Sequence, residues 1–183
     1  MSGSYVPPTL TVPVGPNDWS QGPENAPVTI VEYGDFECPH CAEMEPVVHE
    51  LRQLAGTNLR VVFRHFPLTS SHPHAELAAE AAEAAGAQGA FWPMHDVLLR
   101  NQQALSPSDL VGYAAGLGLD ARQVATDLEN RTYQAAVQED FMSGVRSGVG
   151  GTPTFYINGG RYDGAYDLDS LWRAVQKAVR LAR

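Results

Sequence analysis

The stretch PVTIVEYGDFECPHCAEMEP, residues 27–46, holds both cysteines of a 183-residue chain, Cys38 and Cys41, three positions apart. Its first half is apolar and β-branched and stops at Gly34, the pattern of a buried strand. From Cys41 to Gly56 the apolar residues Met44, Val47, Val48, Leu51 and Leu54 fall at helical spacing. Pro46 stands where it is expected to kink that helix. A strand therefore delivers two thiols to the first turn of a helix. A pair at i and i+3 in that turn can close a small ring, or open it, without moving the fold.

Outward from this stretch, LRVVFRHF (59–66) reads as a second strand, stopped by Pro67. From Pro73 to about Ser147 the pattern is helical, in four or five segments separated by Gly, Ser-Pro and Asn-Arg breaks. Strand character resumes at TPTFYING and is expected to turn through Gly159-Gly160 into RYDGA. A last helix carries one apolar stripe, Leu168, Leu171, Trp172, Val175, Val179 and Ala182. A strand-helix-strand start demands a parallel pair with a right-handed crossover. Strand, CxxC and helix in succession is the thioredoxin arrangement. The expected fold is therefore α/β and thioredoxin-like: a central mixed sheet flanked by helices, with an all-helical sub-domain inserted. Residues 26–67 and 149–183 form the sheet domain in this reading, and 68–148 the insert. Residues 1–25, rich in Pro, Gly, Ser and Asn, read as an extended arm.

Composition narrows the function. The formal charge is -9, from 12 Lys and Arg against 21 Asp and Glu, and only the last helix gathers positive charge, at Arg173, Lys177, Arg180 and Arg183. Nucleic acid is a poor partner for such a chain. No apolar run approaches the roughly 18 residues of a membrane span, so no membrane insertion is expected. The first residues have neither a basic n-region nor an apolar h-region, which points to the cytoplasm as the sequence is written, or to a periplasmic or extracytoplasmic site if a leader has been removed. Two cysteines are too few for a disulfide framework.

A helix N-terminus presents unpaired N–H groups and the positive end of the macrodipole, and so favours a thiolate at Cys38. His40, between the thiols, can add positive charge or a hydrogen bond. Pro39 suits the first helical position because it has no N–H to lose. A zinc half-site would need two more ligands from His40, His65, His72, His74 or His95, and no second pair at regular spacing supplies them, so no metal is expected. A static disulfide is disfavoured because so short a loop restricts the unfolded chain little. Glu32, on the buried strand, is costly unless used or paired. A salt bridge to Arg64 in the neighbouring strand is one way to pair it.

VEYGDFECPHC, RHFPL, HPHA, FWPMHD and GGTPTFYING together resemble the DsbA-type thiol:disulfide oxidoreductases of the thioredoxin-like superfamily, and notably their short bacterial branch. The resemblance runs from about Val28 to the last helix. CPHC is the motif of that family, whereas thioredoxins carry Gly-Pro between the thiols. The resemblance implies that Cys38 is the nucleophile that forms a mixed disulfide and Cys41 the buried resolving thiol. It implies that Pro153, after Gly151 and Thr152, is the cis-proline that faces the thiols and leaves backbone groups free for an extended substrate; from spacing alone, a trans proline starting a strand is an equal alternative. It implies that Glu32 is the buried acid that shuttles the proton of the resolving thiol, with its pKa raised by burial.

The expected activity is thiol:disulfide exchange with protein thiols, without a cofactor, by a monomer whose pair is recycled by an unidentified redox partner. Two rivals share the fold: a transferase or isomerase dependent on a low-molecular-weight thiol, whose members usually lack the second cysteine, and a non-catalytic redox-sensing module. His72, His74 and His95 belong to the resembling motifs but have no chemical task in this reading, and caps or core hydrogen bonds are expected of them.

Overall fold

The computed structural model describes residues 8–182. Five strands form one sheet in the order β1 (Trp19–Gln21), β3 (Leu59–His65), β2 (Val28–Gly34), β4 (Thr154–Ile157), β5 (Gly160–Arg161). β2 and β3 run parallel, as the intervening helix α1 (Pro39–Ala55) requires, and the other pairings are antiparallel. β2 is central and buried on both faces, which explains its nearly unbroken apolar run.

Alternation along β2 sorts the core into layers. Val28 and Ile30 point to the face covered by α1 and the last helix, α7 (Leu168–Leu181), against Met44, Leu51, Ala55, Leu171 and Val175. Ala182, the last member of the α7 stripe, caps the helix and is exposed. Val31 and Tyr33 point to the other face, with Val62, Phe66, Tyr156 and Phe141.

Five helices lie between β3 and β4: α2 (Ala75–Ala87), α3 (Phe91–Arg100), α4 (Pro107–Gly116), α5 (Ala121–Glu129) and α6 (Gln134–Arg146). Ser106 and Asp109 close a capping box on α4, satisfying two otherwise orphaned N–H groups. The alanine-rich α2 is buried along most of its length, because small side chains let α3 and α5 pack closely on it. Phe91, Met94, Leu98 and Leu99 of α3 share a cluster with Cys38 and Cys41, so the insert forms one wall of the thiol motif. Trp92 and Tyr113 pack against the same cluster.

Three features differ from the sequence reading. Residues 1–7 of the expected arm lie outside the described residues, but Trp19–Gln21 add an edge strand to β3, and Thr9 bridges Gly160. The β4–β5 turn is Asn158-Gly159, with φ of 47° and 82°, and Gly160 already belongs to β5. This is the left-handed pair that a tight hairpin needs, and asparagine tolerates it. Arg64 does not pair with Glu32. The register sets Glu32 beside Phe63 and Arg64 beside Tyr33, so the two side chains leave on opposite faces. Arg64 instead binds Asp18 through two contacts, at 2.7 and 2.9 Å.

Candidate active site

The chain leaves β2 at Gly34 and turns through Asp35-Phe36-Glu37 into α1, with Cys38 at the N-cap and Pro39 in the first turn. Cys38 N donates to Asp35 O at 3.2 Å, and the N–H groups of Cys41 and Ala42 both return to Cys38 O, at 3.1 and 3.3 Å. Gln102 Nε2 reaches across from the insert to Cys38 O at 2.7 Å and Phe36 O at 3.0 Å. The turn is thus held from both sides.

Both cysteines are free thiols. Cys38 shows 4% of its surface to solvent and Cys41 none. The Cys38 thiol is pulled down to about 5, chiefly by a hydrogen bond from the Cys41 thiol, against the opposing effect of burial. Thr152 and the backbone N–H groups of Cys41 and His40 add smaller contributions in the same direction. Cys41 is pushed far up by its contact with Cys38, by burial and by the charge of Glu32. The two thiols therefore differ steeply in readiness to ionise.

His40 contributes through its backbone. Its imidazole stands in solvent, paired with Glu43 at 3.1 Å. Glu32 is 6% exposed and its carboxyl is raised to about 8, first by burial and then by Glu45. It lies in a cavity lined also by Glu45, His49, Arg52, His95 and Asp96.

Opposite the thiols, the Thr152–Pro153 peptide is cis. Cys38 Sγ, as a thiol, donates to Thr152 O at 3.4 Å. Thr154 Oγ1 donates to Gly151 O at 2.7 Å, which ties the approach to β4. A groove beside Cys38 is lined by His40, Glu43, Met44, Val47, Thr152, Pro153 and Tyr166. Among the described residues, no group of three or more His, Cys, Asp or Glu side chains is placed to hold a metal ion.

Residues 15–177 match the family described as Thioredoxin. The chain belongs to the thioredoxin family. This thioredoxin-family chain superposes on BdbD from Bacillus subtilis with a TM-score of 0.83, at 21% identity, covering 96% of the chain and 97% of that structure. It superposes on a thioredoxin-like oxidoreductase from Silicibacter pomeroyi DSS-3 with a TM-score of 0.75, at 28% identity, over 92% and 94% of the two chains. The fold is that of the DsbA-like thiol:disulfide oxidoreductases. A protein of Salinispora arenicola named Na(+)/H(+) antiporter NhaA 1 is 52% identical over 170 residues, which is 92% of the chain and 26% of that relative. The chain spans about a quarter of the length of the curated relatives it matches. No helix among the described residues is long and apolar enough to cross a membrane.

In this thioredoxin-family chain His40, Thr152 and Pro153 line one groove, Cys38 at the start of α1 contacts Thr152 across it, and Cys41 lies buried behind Cys38, within reach of the Glu32 charge. Sequence reasoning did not find Asp35, Gln102 or Tyr166. Gln102 binds only backbone atoms, and Asp35 binds two backbone N–H groups and a histidine 37 residues away, contacts that leave no mark in residue pattern. Tyr166 lies in an irregular segment with no periodicity to flag it.

Proposed function

We propose that this domain exchanges a disulfide between its Cys38–Cys41 pair and protein thiols through a mixed disulfide at Cys38. The observation that carries the reading is the asymmetry of the pair: Cys38 is lowered to about 5 and Cys41 driven the other way. A Cys38 thiolate attacks a substrate disulfide, or a substrate thiolate attacks the oxidised pair at Cys38. In the first case Cys41 then attacks Cys38 and expels the substrate thiolate; in the second the attack itself expels Cys41, and a second substrate thiolate then releases Cys38. Glu32, held largely protonated at neutral pH, exchanges its proton with Cys41, so that no charge is stranded in the buried layer.

The groove along Met44, Val47 and Tyr166 takes an extended segment of substrate, with the Gly151-Thr152-Pro153 backbone as its hydrogen-bonding edge. The inserted helices, residues 68–148, form the wall through which Gln102 steadies the thiol turn. The proposal concerns this domain alone, not the full length of the antiporter-named relatives.

Insulin reduction and oxidative refolding of a reduced protein substrate test the reading. Turnover that Cys38→Ser abolishes supports it. Negligible turnover of the wild-type protein would favour a sensing module, and turnover that needs glutathione and survives Cys41→Ser would favour the low-molecular-weight-thiol enzyme.

A further inference from the structure

The HPHA stretch, residues 72–75, takes no part in exchange as set out above, yet two carboxylate–imidazole contacts fasten it to the thiol turn. The Asp35 side chain, 0% exposed, is the centre of the first. Its Oδ1 accepts from Glu37 N at 2.7 Å; its Oδ2 accepts from Leu68 N and His72 Nδ1, each at 2.8 Å. Its backbone reaches both cysteines: the carbonyl accepts from Cys38 N at 3.2 Å, and the N–H donates to Cys41 Sγ at 3.4 Å. One residue thus grips the loop before α2 with its side chain and the thiol motif with its main chain. Glu37 repeats the pattern, accepting from His74 N at 2.7 Å and His74 Nδ1 at 2.9 Å, but that imidazole is half exposed and its contact is correspondingly weak.

A plain structural clasp would explain the side-chain contacts. It does not explain why the clasped residue aims its N–H at the resolving sulfur. Burial, the Cys38 sulfur and the Glu32 charge all oppose ionisation of Cys41, and the Asp35 N–H works in the other direction. The peptide that carries this N–H is held at its oxygen by Phe66 N, which donates to Gly34 O at 2.8 Å, and at the following Cα by the anchored Asp35 side chain, so both ends of the plane are fixed toward Cys41 Sγ.

We propose that Asp35 and His72 are positioning residues for the resolving step: His72 locks the buried carboxylate so that the Asp35 N–H stays aimed at Cys41 Sγ. The inference rests on the exchange reading. In that step Cys41 loses a proton and its sulfur bonds to Cys38 Sγ. The bond between Cys38 and the substrate sulfur breaks, and the substrate leaves as a thiolate that takes up a proton. Over the Cys38 attack and this step together, the cysteine pair loses two electrons and the substrate disulfide gains the same two.

Reaction of the reduced protein with Ellman's reagent separates the two steps, because the first thionitrobenzoate is released when Cys38 attacks and the second when Cys41 resolves. His72→Ala is expected to leave the first phase within about threefold of wild type and to slow the second about tenfold, the loss of one well-placed hydrogen bond. His72→Asn, whose amide nitrogen falls where Nδ1 was, is expected to restore the second phase to within about threefold. An unchanged second phase in His72→Ala overturns the proposal, as does failure of His72→Asn to rescue it. Absence of the first phase in wild type would instead sink the exchange reading. Should His72→Ala not fold, the pair His72→Asn and His72→Gln decides: a slow second phase in the longer amide alone supports the lock, and equal rates overturn it.

Discussion

Cys38 and Cys41 are separated by two residues and driven in opposite directions, so chemical labelling should tell them apart. Iodoacetamide applied briefly to the reduced protein should modify Cys38 with a rate half-maximal near pH 5, following its thiolate fraction, while Cys41 stays unmodified. Peptide mass spectrometry checks this, and preferential labelling of Cys41 would reverse the assignment. Glu32 carries a second consequence. Its folded pKa of about 8 lies above the ordinary 4.5, so its burial adds no pH-dependent cost below about pH 4.5 and progressively destabilises the fold as pH rises towards 8. Glu32→Gln should therefore melt higher than wild type by a margin that grows from pH 5 to pH 8, and it should slow exchange at Cys41. Parallel melting curves at the two ends of that range would disprove the first half. The thiol pair was legible because residue type and spacing alone define it. The fate of Glu32 was only half legible: the strand pattern buried it, but whether Arg64 shared its face depended on a register offset of one residue, which local sequence does not specify.

The elements built on hydrophobic periodicity were readable, and the one built on tertiary contacts was not. Residues ahead of β1 have too many prolines and glycines to show a pattern, yet Arg64 organises them from β3. Its guanidinium donates to Val12 O at 2.9 Å, Pro13 O at 3.1 Å and Tyr33 OH at 3.1 Å besides the two Asp18 contacts. Trp19 continues the strap into the insert, stacked on Phe91 with centroids 4.7 Å apart, and Gly86 of α2 is where its ring finds room. The pair is shielded, with 3% of the Arg64 and 9% of the Asp18 side chain exposed. Asp18→Ala strands a buried cation and should cost about 3–5 kcal/mol in a urea titration. Glu43→Gln, which breaks the exposed pair with His40, should stay within about 0.5 kcal/mol. Equal losses in the two variants would mean that the strap does not depend on Arg64.

For the molecule as a whole, the thiols link redox state to stability, and the sign depends on pH. In the reduced protein the Cys38 pKa is depressed from its ordinary 9.0 to about 5, so the stabilisation is fully present above the unfolded value and is lost as pH falls through 5. At pH 8 the lowered thiol contributes on the order of 4 kcal/mol, which solvent at the helix terminus reduces to about 3. The disulfide, by contrast, stabilises the oxidised protein through loop closure, and for a ring this short the chain-entropy relation gives about 2 kcal/mol at any of these pH values. The two effects cross: near pH 5 the oxidised form should melt at the higher temperature, and near pH 8 the reduced form should lead by about 2–4 °C. Above about pH 9 the trend should reverse again, because Cys41 stays protonated in the fold while its unfolded counterpart ionises. Paired melts with and without reductant from pH 5 to 8 test this. An oxidised form that melts higher throughout would mean that the Cys38 thiolate is too weakly stabilised to drive disulfide transfer to substrates, leaving reduction as the direction the domain favours.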